Sequence, residues 1–160
     1  MPLVITSPAF THNGPIPIKY TCEDHDVSPP LAWSGVPERA RSLALLVDDP
    51  DAPDPAAPKR VYVHWVLYDM PAATRELGES ATGKRLPSGA REGRNDGGNV
   101  GYMGPCPPIG RHRYFFKLYA LDAPLGDLGT ATKADLEAAM RGHILEQAEI
   151  IGTYQSTKGR

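Results

Sequence analysis

Seventeen prolines and sixteen glycines are spread along this chain rather than gathered in one linker. Proline removes a backbone donor and glycine favours turns, so neither belongs in the interior of a long helix. Scattered in this way, they mark many tight turns between short extended segments. A helical bundle is argued against from the outset, and a mainly β fold is expected.

The segments between the turns support that reading. Ser42–Val47 is a nearly continuous apolar run bounded by polar residues, which reads as a buried central strand. The next stretch, Asp48-Asp49-Pro50-Asp51-Ala52-Pro53, is expected to end the ladder, because its prolines cannot continue one. Val61–Asp69 is rich in β-branched and aromatic residues and is a second strand. Strict alternation would put Tyr62, His64, Val66 and Tyr68 on one face, and Val61, Val63, Trp65 and Leu67 on the other. Arg113–Asp122 is a third strand, and Ile16, Ile18 and Tyr20 suit a short edge strand. A helical turn is expected near residues 73–77. Residues 71–111 otherwise read as loops wrapping a site.

Near the end, Thr132 and Asp135 have capping-box character. Leu136, Met140, Ile144, Ala148 and Ile151 then recur at helical spacing, with Gly142 as a break; Ile150–Tyr154 reads equally as a closing strand. Residues 1–160 show no repeat or low-complexity tract and are read as one domain. Apolar residues make up 41% and charged residues 22%, an ordinary globular balance.

The formal net charge of −2, with no run of Lys or Arg, gives nucleic acid and anionic membranes nothing to bind. No segment approaches the roughly 20 apolar residues of a transmembrane span. The first residues lack the apolar stretch of a signal peptide, so a cytoplasmic location is expected. Cys22 and Cys106 are then expected to be two free thiols.

Three clusters carry chemistry. The first is the acidic turn with Asp49 and Asp51, and the second is His64 within its strand. The third is Gly101-Tyr102-Met103-Gly104-Pro105-Cys106-Pro107-Pro108-Ile109-Gly110-Arg111-His112-Arg113-Tyr114, a tightly turning loop that delivers His112 to the start of a strand. Its backbone can approach a ligand, and its exposed N–H groups are expected to meet an anion. Cys106, His112 and Asp49 are also the residue types of a nucleophile, a base and an orienter. However, Cys106 sits between prolines rather than at a helix N-terminus. The acidic and imidazole groups show no metal-site spacing, so neither a metal nor a cofactor is expected.

Ser28-Pro29-Pro30-Leu31-Ala32-Trp33, Asp49-Pro50-Asp51-Ala52-Pro53, His64-Trp65 and the 101–114 loop occur in this order. Together they resemble the phosphatidylethanolamine-binding protein family, also called the Raf kinase inhibitor family, in its bacterial and archaeal branch. The resemblance implies a mainly β sandwich of antiparallel sheets with a few peripheral helices. It also implies one pocket for phosphate-like or carboxylate-like anions. Matched motif by motif, that pocket takes Asp49, Asp51, His64, Gly104, Pro105, Cys106, Pro107, Pro108, His112 and Tyr114. Cis peptide bonds near such prolines are implied too, with Asp49-Pro50 the candidate.

The expected function is reversible binding of a small anion such as phosphate or phosphoethanolamine, regulatory and without catalysis. Binding should strengthen as pH falls through the histidine range. Two further readings are kept. One is a kinase or protease inhibitor acting through residues 54–60 or 78–98; the other is a hydrolase using Cys106, His112 and Asp49. The resemblance also points to a homodimer.

Overall fold

The structure, a computed structural model, describes residues 2–82 and 85–157. Gly83 and Lys84, within the expected 71–111 loop, lie outside the described residues. A six-stranded sheet has the order β2 (Gly14–Pro15), β9 (Ile144–Gln155), β8 (Arg111–Leu121), β4 (Ser42–Ala52), β5 (Arg60–Pro71) and β7 (Arg91–Glu92). A smaller sheet has the order β1 (Val4–Thr6), β3 (Leu31–Ser34) and β6 (Glu76–Leu77). Every pairing is antiparallel except the two-residue β2–β9 contact. One α-helix is described, α1 (Lys133–Met140).

The larger sheet is covered on both faces, which explains the sequence of β4. Leu43, Leu45 and Val47 join Ile5, Leu31, Trp33 and Leu77 of the smaller sheet in one core cluster. Ala44 and Leu46 face the other way, onto Ala131, Leu136 and Met140 of α1 and its approach. A strand buried on both sides has no polar face, hence the unbroken apolar run. The Thr132 capping box is formed: its hydroxyl accepts from the Asp135 N–H, and the Asp135 carboxylate accepts from the Thr132 N–H.

Several local expectations are corrected. The β4 ladder does not end before the prolines. It runs to Ala52 by placing an extra residue between Asp49 and Ala52, a bulge in which Pro50 needs no ladder donor. Ile144, Ala148 and Ile151 are not helical. Beyond Met140 the chain turns through Gly142, at φ +84°, and enters β9, where Ala148 and Ile150 pack inward. Residues 18–20 form a 3-10 turn instead of an edge strand. The residues near 73–77 end in the short strand β6 rather than a helical turn. The cis bond is Ala52-Pro53, not Asp49-Pro50.

Candidate binding pocket

Two bulges in β5 decide what faces where. Val47 pairs with Trp65 and the next residue, Asp48, pairs with Val63, so His64 is the extra residue. Alternation therefore breaks at His64. Trp65 and Leu67 enter the core between the sheets, whereas Val63, Val66 and Tyr68 face α1. His64 does not share a face with Val66 and Tyr68, as strict alternation required. Its ring instead lies beside Tyr62 and edge-on to Tyr114, with centroids 5.2 Å apart in each case. The released backbone finds a partner in the 101–110 loop, because the Met103 N–H donates to the His64 carbonyl at 2.9 Å. The second bulge lies at Tyr68–Asp69, between the Leu43–Met70 and Leu45–Leu67 pairs, and holds Asp69 at φ +57°.

Here, at one end of the larger sheet, a cavity of about 350 Å³ opens. Its wall is Asp49, Ala52, Tyr62, His64, Met103, Cys106, Pro107, Pro108, His112 and Tyr114. Seven of the ten expected residues are thus brought together: Asp49, His64, Cys106, Pro107, Pro108, His112 and Tyr114. Asp51 is not on the wall. Its carboxylate accepts from the Arg113 backbone at 2.8 Å and from the guanidinium at 3.0 and 2.9 Å, which holds it below the usual carboxylate range. Gly104 and Pro105 stand behind the rim. The Gly104 N–H donates to Asp26 Oδ1 at 2.7 Å, and a Cβ there would run into that carboxylate and the Tyr20 carbonyl. Burial raises the Asp26 carboxyl above its ordinary value.

Ala52, Tyr62 and Met103 are wall residues that the sequence reading missed. Tyr62 had a signal, since it lies two positions from His64 on the face they share.

The two histidines differ in what they offer. His112 is fully buried, and both ring nitrogens are taken. Nδ1 meets Asp49 Oδ2 at 2.5 Å, and Nε2 faces the carbonyls of Ile109 at 2.8 Å and Pro53 at 3.1 Å. A carbonyl cannot donate, so Nε2 carries a hydrogen. One further proton lies between Nδ1 and Asp49, and the pair has no net charge whichever of the two holds it. The other Asp49 oxygen accepts from the Asp51 N–H at 2.7 Å. His64 is also buried, but its Nδ1 donates to the Met103 carbonyl at 2.7 Å and its Nε2 is left without a partner. Burial lowers the His64 pKa and outweighs the Met103 carbonyl and nearby carboxylates, which raise it. Nε2 is therefore an acceptor near neutral pH. The Tyr114 hydroxyl, at a residue only 1% exposed, has no hydrogen-bond partner. Burial pushes its ionisation upward, so it remains a donor.

A depressed folded-state pKa means that the unfolded chain binds the proton more readily. The stability held by neutral His64 is present above about 6.5, the unperturbed value, and is lost as pH falls below it through the folded pKa. Urea midpoints measured across that window should fall less steeply in His64→Gln than in the parent protein. Parallel curves would contradict the assignment.

The expectation of two free thiols is overturned. Cys22 and Cys106 are joined in a disulfide, because folding sets the 20–26 loop against the rim. With its sulfur bonded, Cys106 offers no thiolate, so the alternative reading of a hydrolase with Cys106 as nucleophile lacks its nucleophile in this state. Among the described residues no cluster of His, Cys, Asp and Glu is arranged to hold a metal ion. No described helix is long and apolar enough to cross a membrane.

A larger and a smaller antiparallel sheet, with a proline-rimmed cavity at one end, define a β sandwich of the phosphatidylethanolamine-binding type. The family described as "Phosphatidylethanolamine-binding protein" matches residues 6–155, and the chain belongs to it. A UPF0098 protein of Methanothermobacter thermautotrophicus is 49% identical over 148 residues, spanning 92% of this chain and 95% of that one. A crystal structure of a putative phosphatidylethanolamine-binding protein homologue from Chlamydia trachomatis superposes with a TM-score of 0.88 at 42% identity, covering 97% of this chain and 98% of that one. Escherichia coli YbcL, described as a new member of the mammalian family, also gives 0.88, at 32% identity, covering 98% of this chain and 100% of that one.

Proposed function

We propose that this protein reversibly binds a small phosphate- or carboxylate-bearing molecule in the cavity, as a regulatory binding domain without catalysis. One observation carries the reading. An open cavity has on its wall a buried imidazole with a free nitrogen and a buried phenol with no partner. Buried polar groups are nearly always paired, so unpaired ones at a cavity wall mark where a ligand completes the set.

The roles of the two histidines separate in this reading. His64 meets the ligand, while His112 cancels the charge of Asp49 and anchors the wall. The acidic turn therefore does not repel an anion, although it lies within a few ångströms of the site.

Calorimetric titration with inorganic phosphate and with phosphoethanolamine, at about pH 6 and about pH 8, tests the proposal, since those values bracket the histidine range. We expect saturable binding that is stronger at the lower pH and weakened at least about tenfold in Tyr114→Phe, roughly one lost hydrogen bond to a charged group. The absence of saturable heat with both compounds at both pH values would overturn it.

A further inference from the structure

We propose that β9 and the groove beside it, on the α1 side of the larger sheet, dock an extended, basic segment of a partner protein. That segment adds a strand to the free edge of β9 and lays one Lys or Arg side chain over Tyr119. The site shares no wall residue with the cavity described above.

The first ground is an unpaired backbone edge. β9 has 12 residues, but β2 pairs only with Gly152 and Thr153. The edge is held once more at Ile151, whose N–H donates to His12 Nδ1 at 3.1 Å and whose carbonyl accepts from the Asn13 N–H at 2.6 Å. Ile151 therefore turns its backbone groups away from β8. The ladder with β8 runs without a shift from Gln155 to Glu146, so Glu149 and Gln147 turn theirs to the same side. Nothing among the described residues meets those groups. Neither proline nor lysine, common devices for blunting an edge, occurs between Ile144 and Ile151. An extended backbone complements such a row, and a compact cation does not.

The second ground is the groove floor. Alternation puts the Gln147 and Glu149 side chains beside Tyr119 and Lys117, their partners on β8. Two hollows of about 400 Å³ each open here and share Tyr119 and Gln147 as wall. Tyr119 is only 9% exposed, yet its hydroxyl has no hydrogen-bond partner among the described residues. Burial pushes its ionisation up to about 12, and the Glu137, Asp48 and Glu149 carboxylates add to the rise. The phenol thus stays protonated in acidic surroundings, with an oxygen free to accept from a cationic donor.

The third ground is charge. Asp48 is already answered, by the Lys117 ammonium at 3.0 Å and the Lys133 ammonium at 2.7 Å. Glu137 of α1 and Glu149 of β9 are exposed and make no ion pair among the described residues. The described cations that lie over rings choose Tyr62 and Phe115, which leaves the Tyr119 face open. A guanidinium or ammonium there gains from the ring and from both carboxylates. Arg141 closes the far end of the second hollow, beside Met140 and the 43%-exposed Ile144. The incoming residue two positions from the cation therefore meets an apolar surface near a like charge, and is apolar.

A fluorescein-labelled heptapeptide, Thr-Leu-Thr-Arg-Thr-Leu-Thr, sets arginine between two leucines on one face and serves either strand direction. Its anisotropy against the whole protein at low salt should saturate, and the Gln147 and Glu149 amides should gain protection from hydrogen exchange. Joint Glu137→Gln and Glu149→Gln replacement should weaken binding at least about tenfold, as should citrulline in place of the arginine, roughly one lost charged hydrogen bond. Both glutamates are exposed, so the fold should tolerate their neutralisation. Gln147→Pro removes an N–H that β8 does not use and should weaken binding to a similar extent. N-methylation of the peptide's arginine and both neighbouring threonines should do the same, since one of these N–H groups meets β9 in either direction. Absence of saturation would overturn the proposal. Binding that survives both N-methylation and Gln147→Pro, or displacement of the peptide by an equal concentration of spermidine, would reveal a simple cation site and overturn it. Self-association of the protein that Gln147→Pro dissolves would assign the edge to a second copy and overturn the choice of partner.

Discussion

Replacing both Cys22 and Cys106 with serine is expected to lower the unfolding free energy by about 2–4 kcal/mol, the typical contribution of a bridge that closes a long loop. The two residues are 84 positions apart, so the unfolded chain gains a large freedom when the link is lost. The native state retains other ties between the same segments. The Cys22 N–H donates to the Pro105 carbonyl at 3.1 Å and the Tyr102 hydroxyl to the Tyr20 carbonyl at 2.8 Å. The 20–26 loop is also tied to the end of β9, where Glu23 collects the Tyr154 hydroxyl at 2.6 Å and the Thr157 N–H at 3.0 Å, which draws its pKa down to about 2. The fold should therefore survive in the variant while its rim loosens, and phosphate affinity should drop with stability. Urea denaturation of oxidised, reduced and doubly substituted protein provides the measurement. Identical midpoints for all three would show that the bond adds nothing.

Asp49→Ala is expected to be still more damaging, at about 3–5 kcal/mol, as when one partner is removed from a buried ion pair. Asp49 is 3% exposed, and its carboxylate serves both His112 Nδ1 and the Asp51 N–H, so its loss strands two buried groups at once. Adding His112→Leu should restore part of the loss, because an apolar side chain leaves no buried polar group to be paired. The double variant would then be more stable than the sum of the two single effects implies, by more than the roughly 0.5 kcal/mol within which independent sites add. Simple additivity in a double-mutant cycle would mean that the two side chains do not act as a unit.

Much of the larger sheet was legible because burial on both faces writes itself as an unbroken apolar run, as in Ser42–Val47. The helix start was legible too, since Thr132 and Asp135 satisfy each other locally. The segment beyond Met140 was ambiguous for a physical reason. Leu136 and Met140 are a true helical pair, and Ile144 and Ala148 continue the same interval by coincidence, on a strand whose inward residues include Ala148, Ile150 and Tyr154. Only the turn at Gly142 separates the two regimes, and its positive φ is a property of the folded chain.

For the site, the identity of the loops was readable, but the hydrogen-bond partners were not. Nothing in the order of residues says that Arg113 draws Asp51 off the wall, or that Ile109 and Pro53 occupy the second nitrogen of His112. The sulfur–sulfur pairing was equally hidden, since it depends on two loops meeting across 84 residues.

The irregularity at His64 sets a limit on how this domain can vary. The imidazole reaches the hollow because β5 spends two residues where its neighbour spends one. A chain trimmed by a single residue there would regain strict alternation from Arg60 to Leu67 and leave no surplus position to turn toward the ligand. Side-chain chemistry at this point is thus free to drift and retune what is held, whereas the count of residues is not.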